Sequence, residues 1–319
     1  MSLLNEEKII LSIAKKNLFN NDSVIGIGDD AAYISDFLIT KDLLIENIHF
    51  HLDYFSPAAL AHKSFHVNLS DIAAMGGKPK YLLLGLAIPS KISSLWIQNF
   101  LRYFQKLCKK YKVMIIGGDT TGSDKNLMIS ITLIGEKLNS LKKRNTAQAG
   151  DFLCITSPLG EAHAGLIALE KKIPGFNSLK KKQLYPEARL LEGQFLADQA
   201  GITGMMDISD GLYLDIKKFC GANKLGAKIE INSLPLSSEL IHFSKKIKES
   251  PISLAISGGE DYELLCSVSP LSWSRIQRQY QKKFQRPLYK IGLLTLPQKI
   301  NYYVDSKKEN LKLFPFTHF

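Results

Sequence analysis

Short motifs that combine glycine with aspartate recur along this chain, each beside an apolar stretch with β-strand character. Glycine permits tight turns and close approach of the backbone to a ligand, and aspartate favours turns. Ligand sites usually lie where loops join the ends of such strands, so the recurrence predicts an α/β or α+β fold whose turns build one site. The motifs are GIGDDAA (26–32), NLSDIAAMGG (68–77), IIGGDTTGS (115–123), MMDISDGL (205–212) and SGGEDYEL (257–264).

Each motif taken alone is ambiguous, because glycine and aspartate are common in solvated turns. Asp71 could be an exposed acid on a helix, and Asp210 could be only a helix cap. Alternation in LITKDLLIENIHF (38–50) would place Thr40 and Asp42 on one side of a strand and Lys41 on the other. One side of that strand could then face a metal ion.

Helices and strands alternate in both halves, which predicts two domains. Strands are expected at 37–40, 81–88, 113–116 and 127–134, then at 152–156, 205–208, 227–231, 262–268 and 288–294. Helices are expected at 160–172, at 186–200, from about 212, and before 288. The polar, basic segment 138–151 is the best junction, so the predicted domains are 1–140 and 141–319.

One predicted helix is well marked at its beginning. Ser56 can cap it, Pro57 suits its first position, and two glycines follow its end at 76 and 77. Asp71 shares a polar stripe with Asn68 on this helix, and a buried carboxylate there must be paired, hydrogen-bonded or metal-bound.

Charge and composition restrict the partners. The net charge is +11, but the lysine runs lack interleaved aromatic residues, so solvated surfaces are expected rather than nucleic-acid binding. No apolar run reaches the ~20 residues of a membrane span, and the amino terminus resembles an amphipathic helix rather than a signal peptide. The four cysteines are widely spaced, which favours a reduced, cytoplasmic setting.

Several nucleotide and hydrolase motifs are absent. The chain has no GxxxxGK[ST] loop and no GxSxG, and GIGDDAA has Ala31 where a dinucleotide motif needs its third glycine. Dispersed aspartates suit Mg²⁺, which prefers oxygen ligands and is often bound together with phosphates. Phosphates are therefore expected to be held mainly through metal ions.

The five motifs in this order resemble those of the thiamine-monophosphate kinase family. That family is similar to aminoimidazole ribonucleotide synthetase and selenophosphate synthetase. The resemblance implies two α/β domains, with a mixed amino-terminal sheet that forms a homodimer and a carboxy-terminal α/β domain that completes the active site. It also implies transfer of phosphate from ATP to thiamine monophosphate with several Mg²⁺ ions, and neither a nucleic-acid nor a membrane partner.

The resemblance assigns roles to residues. Catalysis would depend on Asp30, Asp119 and Asp210, and nucleotide contacts on Gly118, Asp119, Arg144 and Ser209. Substrate contacts would come from His49, Glu260 and Phe316. The implied metal ligands are Asp30, Thr40, Lys41 through its backbone, Asp42, Asp71, Asp119, Asp207 and Asp210. Lys41 departs from the Ser or Thr usual in the family, and Phe316 from the usual Trp or Tyr.

Two other functions remain open from sequence. A related synthetase would also use ATP, although selenophosphate synthetase should have a reactive Cys or selenocysteine near its amino terminus and the first cysteine here is Cys108. A polyanion-binding protein would explain the charge but not the aspartate motifs.

Overall fold

The structure is a computed structural model that describes residues 9–10, 12–13, 24–305 and 307–309. The predicted amino-terminal amphipathic helix lies mostly outside the described residues. The predicted substrate residue Phe316 also lies outside them.

The amino-terminal half forms a six-stranded mixed sheet in the order β1-β2-β3-β6-β4-β5. Neighbouring strands are antiparallel except β4 and β5, which are parallel. One face packs against two helices, and the other leaves Leu43 and Tyr81 exposed. The strands are β1 (Val24–Ile25), β2 (Ala32–Ile34), β3 (Phe37–Ile45), β4 (Lys78–Pro89), β5 (Met114–Ser123) and β6 (Met128–Glu136); the helices are α1 (Pro57–Ala74) and α2 (Ser94–Tyr111).

The carboxy-terminal half forms a seven-stranded sheet in the order β13-β12-β9-β11-β7-β10-β8. Buried residues pack against both of its faces, so it is a covered α/β layer. Its strands are β7 (Phe152–Ile155), β8 (Ile202–Ile208), β9 (Gly226–Glu230), β10 (Glu263–Val268), β11 (Tyr289–Thr295), β12 (Ile300–Val304) and β13 (Lys307–Glu309). The helices are α3 (Glu161–Glu170), α4 (Asn177–Leu184), α5 (Leu190–Ala197), α6 (Leu212–Asn223), α7 (Ser238–Ile247), α8 (Pro251–Ser257) and α9 (Trp273–Phe284).

The two-sheet architecture confirms the predicted α/β class. Residues 137–151 contain neither helix nor strand, and the predicted boundary between 140 and 141 falls inside this connection. The two halves pack tightly where α1 meets α5. A Cβ on Gly193 would lie 2.0 Å from the carbonyl oxygen of Ala73, so only glycine permits this approach.

The strand predicted at 113–116 is longer in the structure, and the prediction of a turn directly after it is wrong. The segment GGDTTGS continues β5 to Ser123, because it pairs in parallel with Leu83 to Pro89 of β4. The helix expected at 186–200 is also shorter, as α5 covers only Leu190–Ala197. The sequence analysis did not predict helices α2, α4, α7 and α8 or strands β1, β2, β12 and β13.

The cap of α1 has a measurable consequence. The Ser56 hydroxyl accepts a hydrogen bond from the backbone N–H of Ala59 at 3.2 Å, as the sequence predicted. Replacing Ser56 by Ala should lower the free energy of unfolding by about 1 kcal/mol in denaturant titration. Ser56→Asp keeps an acceptor at the cap and should stay within experimental error of the wild type; an equal loss in both variants would contradict the capping role.

Candidate active site

Three aspartates from distant parts of the chain meet between the two sheets. Asp30 precedes β2, Asp71 lies on α1 and Asp207 lies on β8. One carboxylate oxygen from each lies within 4.8 Å of the others. Thr40 donates a hydrogen bond to Asp71, and Ser70 donates to Asp207 at 2.6 Å. These two hydroxyls orient the acid cluster, which we define as Asp30, Asp71 and Asp207.

The carboxylates of the cluster are poorly compensated by the protein. Burial raises the pKa of Asp30 and of Asp207 to about 7, more than the Arg144 guanidinium lowers it. Repulsion from Asp29 adds to the rise at Asp30, and repulsion from Asp30 adds to it at Asp207. Burial and the neighbouring acids raise the pKa of Asp71 well above its usual range. Asp42, beside the cluster on β3, has a pKa raised to about 6 by burial.

Unpaired oxygen atoms show what the cluster could hold. Among the described residues, no donor reaches the buried Oδ2 of Asp30 or the buried Oδ2 of Asp42. Buried carboxylate oxygens are normally hydrogen-bonded, paired with a cation or bound to a metal. The donor set is entirely oxygen, which fits a hard divalent cation such as Mg²⁺.

Arg144 is held against this cluster by the connection between the sheets. Its guanidinium forms an ion pair with Asp30, and its backbone N–H donates to Asp29 at 3.3 Å. The Asn223 amide of α6 donates to the Arg144 carbonyl at 2.6 Å. Arg144 therefore lies at the cluster. Its Nε is 3.8 Å from the Oδ1 of Asp29 but makes no hydrogen bond with the described residues.

The DISDGL motif is shaped by two residues that the sequence analysis missed. The backbone N–H groups of Ser209 and Asp210 both donate to the buried Asp215, at 3.1 and 3.0 Å. Lys218 pairs with Asp210 and lies 3.3 Å from Asp215. Gly211, rather than Asp210, precedes α6 as its cap residue. The side chain of Asp210 is thus directed to Lys218. In the sequence, only the three-residue spacing of Asp215 and Lys218 on a helix could have suggested that these two residues pair with each other.

Two cavities adjoin the acid cluster, with volumes of about 350 and 530 Å³. Both are lined by Asp42, Asp71, Asp207 and Ser209. The larger cavity is also lined by Gly26, two further aspartates, Asp29 and Asp30, and three basic residues, Lys41, Arg144 and Lys218. We call it the basic cavity after these three residues. The smaller one, the aromatic cavity, is lined by Phe50, Tyr54 and Tyr262 together with His49 and Glu260. Two ligands could therefore approach the same carboxylates from different cavities.

His49 and Glu260 have fixed positions in the aromatic cavity. The His49 Nδ1 accepts a hydrogen bond from the backbone N–H of Ile45 at 3.0 Å, so the neutral ring carries its proton on Nε2. Glu260 has a left-handed backbone with a φ of 66°, which is costly for a residue with a side chain. Its backbone N–H donates to the Ser209 carbonyl at 2.7 Å, which ties this loop to the DISDGL motif.

Lys41, Gly118 and Asp119 are not part of the acid cluster. Thr40 donates to Asp71 of α1, and the burial pattern of β3 places Asp42 on the same side and Lys41 on the other, as the strand alternation predicted. The Lys41 side chain donates to Ser130, although Lys41 also lines the basic cavity. Asp119 of β5 pairs with Gly85 of β4, which pairs with Ser130 of β6, which in turn pairs with Leu43 of β3. Three strand spacings separate it from β3, a distance of about 14 Å. Neither Gly118 nor Asp119 lines either cavity.

Comparisons with known proteins agree with this architecture. The chain matches the AIR synthase related protein family, with its N-terminal domain at residues 28–136 and its C-terminal domain at 148–292. Escherichia coli HypE has a similar fold, with a TM-score of 0.70 at 17% identity over 96% of this chain and 97% of that chain. Fold and site thus define a two-domain protein of the AIR synthase related class.

Relatives with higher sequence identity to this chain identify one family within this class. The thiamine-monophosphate kinase of Buchnera aphidicola subsp. Schizaphis graminum is 37% identical over 99% of both chains, and that of Bacillus subtilis is 32% identical over 91% of both. The structure of AaThiL complexed with AMPPCP and TMP has a TM-score of 0.85 at 29% identity, covering 100% of this chain and 98% of that one. The chain belongs to the thiamine-monophosphate kinase family.

Asp261, the second acid of the SGGEDYEL motif, should make the stability of the protein depend on pH. Asp261 accepts hydrogen bonds from the backbone N–H groups of Gly160 and Ala162 at the start of α3, but burial outweighs them and raises its pKa to about 7. The folded state therefore binds this proton more tightly than the unfolded chain. Its contribution to stability is fully present below the unfolded pKa of about 4 and is lost as pH rises to about 7.

Asp261→Asn should remove this dependence. The loss of unfolding free energy between pH 4 and 7 should become shallower by up to about 1.4 kcal/mol per pH unit, as measured by denaturant titration at several pH values. Asp124→Asn changes an exposed acid and serves as the control. An unchanged slope in Asp261→Asn would contradict the assignment.

Proposed function

We propose that this protein transfers a phosphate group from ATP to thiamine monophosphate and releases thiamine diphosphate. The observation that carries the proposal is the acid cluster, whose Asp71 and Asp207 line both the basic and the aromatic cavity. The AaThiL structure of similar fold is complexed with AMPPCP and TMP, an arrangement that two cavities at one cluster could accommodate. ATP would occupy the basic cavity and thiamine monophosphate the aromatic one.

Several Mg²⁺ ions would be held by the buried carboxylates. Asp30 and Asp42 each have a buried oxygen atom without a hydrogen-bond donor among the described residues. Asp71 and Asp207 line both cavities, Thr40 and Lys41 line the basic cavity, and Asp210 lines the aromatic one. When bound, Mg²⁺ neutralises the charges of two phosphorylated molecules and aligns them. This need explains why so many acids are gathered where their burial is unfavourable.

On the nucleotide side, Arg144 and Lys218 are the side chains suited to phosphate. Both line the basic cavity, with the backbone of Ser209 nearby. Arg144 offers a planar group of donors, and its Nε, 3.8 Å from Asp29, makes no hydrogen bond with the described residues. Its ion pair with Asp30 holds the guanidinium at the cluster, so it can contact ATP without a large rearrangement.

On the acceptor side, the substrate itself supplies the nucleophile. A phosphate monoester has a second pKa of about 6, so near neutral pH it is already largely a dianion and needs no general base. His49 would therefore contact the acceptor rather than remove a proton. Phe50, Tyr54 and Tyr262 give the cavity a wall suited to aromatic rings.

The active assembly would be a homodimer formed through the amino-terminal sheet. β5 is an edge strand whose Met114, Ile115 and Ile116 are exposed, and such an edge is prone to pair with another chain. Within one chain Asp119 lies about 14 Å from β3, too far to share an ion with the acid cluster. A second copy is therefore the route by which Gly118 and Asp119 would serve a site.

The same proposal includes a cytoplasmic location. All four cysteines are free and buried, as a reducing compartment allows. Within the described part of the chain, no helix combines the length and apolarity needed to span a membrane.

Asp71→Asn tests the metal role. Removing a carboxylate that lines both cavities should lower the rate of thiamine diphosphate formation about a thousandfold and weaken Mg²⁺ binding in calorimetry, because several kcal/mol of charge stabilisation is lost. Asp198→Asn, an exposed acid, should keep full activity. Near-normal turnover of Asp71→Asn at every Mg²⁺ concentration would exclude Asp71 as a metal ligand.

Ile116→Lys tests the dimer. A charge on the exposed edge of β5 should shift the protein from dimer to monomer in sedimentation velocity and lower its activity in parallel. Leu271→Lys is the matched control, since Leu271 is 99% exposed outside this sheet. A wild-type protein that sediments as a monomer would refute the dimer.

A further inference from the structure

Three polar side chains from different segments meet on the wall of the aromatic cavity. Lys63 comes from α1, Gln183 from α4, and Glu260 from the loop between α8 and β10. All three line the cavity. The sequence predicted a role for Glu260 only, since the other two belong to no motif.

Glu260 links the other two. The Lys63 ammonium lies 2.5 Å from its Oε1, and the Gln183 amide nitrogen donates to its Oε2 at 2.6 Å. A carboxylate only accepts hydrogen bonds when ionised, so Gln183 must direct its NH₂ group to Glu260. This contact fixes the orientation of the amide and leaves its Oε1 as the free end.

Both neighbours of Glu260 retain unused hydrogen-bonding capacity. Gln183 is 2% exposed, and its Oε1 receives no hydrogen bond from the described residues. Lys63 is 1% exposed, and apart from its ion pair with Glu260 its Nζ has no acceptor among the described residues. Buried polar atoms without partners are rare, and at a ligand cavity the ligand commonly completes them.

A purely structural role explains Lys63 better than Gln183. The Lys63 ammonium lies 5.3 Å from the centre of the Phe55 ring, which provides a cation–π contact in addition to the ion pair. The Gln183 oxygen has no comparable compensation. Gln183 is therefore the stronger indication that a ligand donor belongs here.

We propose that Gln183 and Lys63 form a subsite for the edge of an aminopyrimidine ring, held in register by Glu260. Such a ring presents an N–H donor beside a ring-nitrogen acceptor. The Gln183 Oε1 accepts from the amino group, and the Lys63 Nζ donates to the ring nitrogen. This subsite rests on the proposed function, because thiamine monophosphate carries an aminopyrimidine.

Oxythiamine monophosphate provides the test, because a carbonyl replaces the amino group and the adjacent ring nitrogen carries hydrogen. In oxythiamine the carbonyl accepts a hydrogen bond and the ring N–H donates one, which is the reverse of the pattern in thiamine. We expect the wild type to have a higher kcat/KM for thiamine monophosphate than for oxythiamine monophosphate. Gln183→Leu should lower the ratio of these two kcat/KM values at least about tenfold, mainly through a higher KM for thiamine monophosphate. The KM for ATP should not change. The ratio is taken within one protein sample, so it is independent of the fraction that is correctly folded.

Gln199→Leu is the matched control, since Gln199 contacts Phe195 and Arg275 rather than the cavity. Lys63→Met should reduce the preference in the same direction. If Gln183→Leu does not fold, Gln183→Asn, which withdraws the amide by one methylene, takes its place. An unchanged preference in the Gln183 variant, or a wild type that uses both acceptors equally, overturns the subsite. A wild type that converts neither acceptor contradicts the proposed function itself.

Discussion

The burial of several aspartates in one place is the constraint on which this structure depends. Asp30 and Asp71 come from the amino-terminal half and Asp207 from the carboxy-terminal half, so the cluster exists only while the two halves are packed together. Burial raises the pKa of each carboxylate more than Arg144, Thr40 and Ser70 lower it, so the folded chain compensates these charges only in part. The close packing of α1 against α5, where Gly193 meets Ala73, helps to hold this unfavourable arrangement.

The arrangement around the cluster explains how one site could serve two anionic molecules. The basic cavity contains Arg144 and Lys218, whereas the aromatic cavity contains rings and the polar group around Glu260. Their shared wall is acidic, and therefore two phosphates can approach each other only if cations are bound between them. On the proposed assignment, the charge distribution would separate the phosphate donor from the acceptor before the reaction.

Part of the site was predictable because it depends on local patterns. Strand alternation placed Thr40 and Asp42 together, and helix periodicity with the Ser56 cap placed Asp71 on α1. Lys63, Gln183, Asp215 and Lys218 were missed, since their partners are set by packing rather than by a motif. The run GGDTTGS was expected to turn, but pairing with β4 extends it as a strand.

The sequence by itself determined the α/β class, most strands and the capped helix α1, and it predicted that several aspartates form one functional set. These features could be predicted because periodicity and helix caps depend on residues that are close together in the chain, and the order of the motifs is read directly from the sequence. Only the tertiary structure decided that Asp207 meets Asp71, that Lys63 and Gln183 meet Glu260, and that Asp119 lies across the sheet from the cluster. These contacts join residues far apart in the chain, and their formation depends on the packing of the complete core.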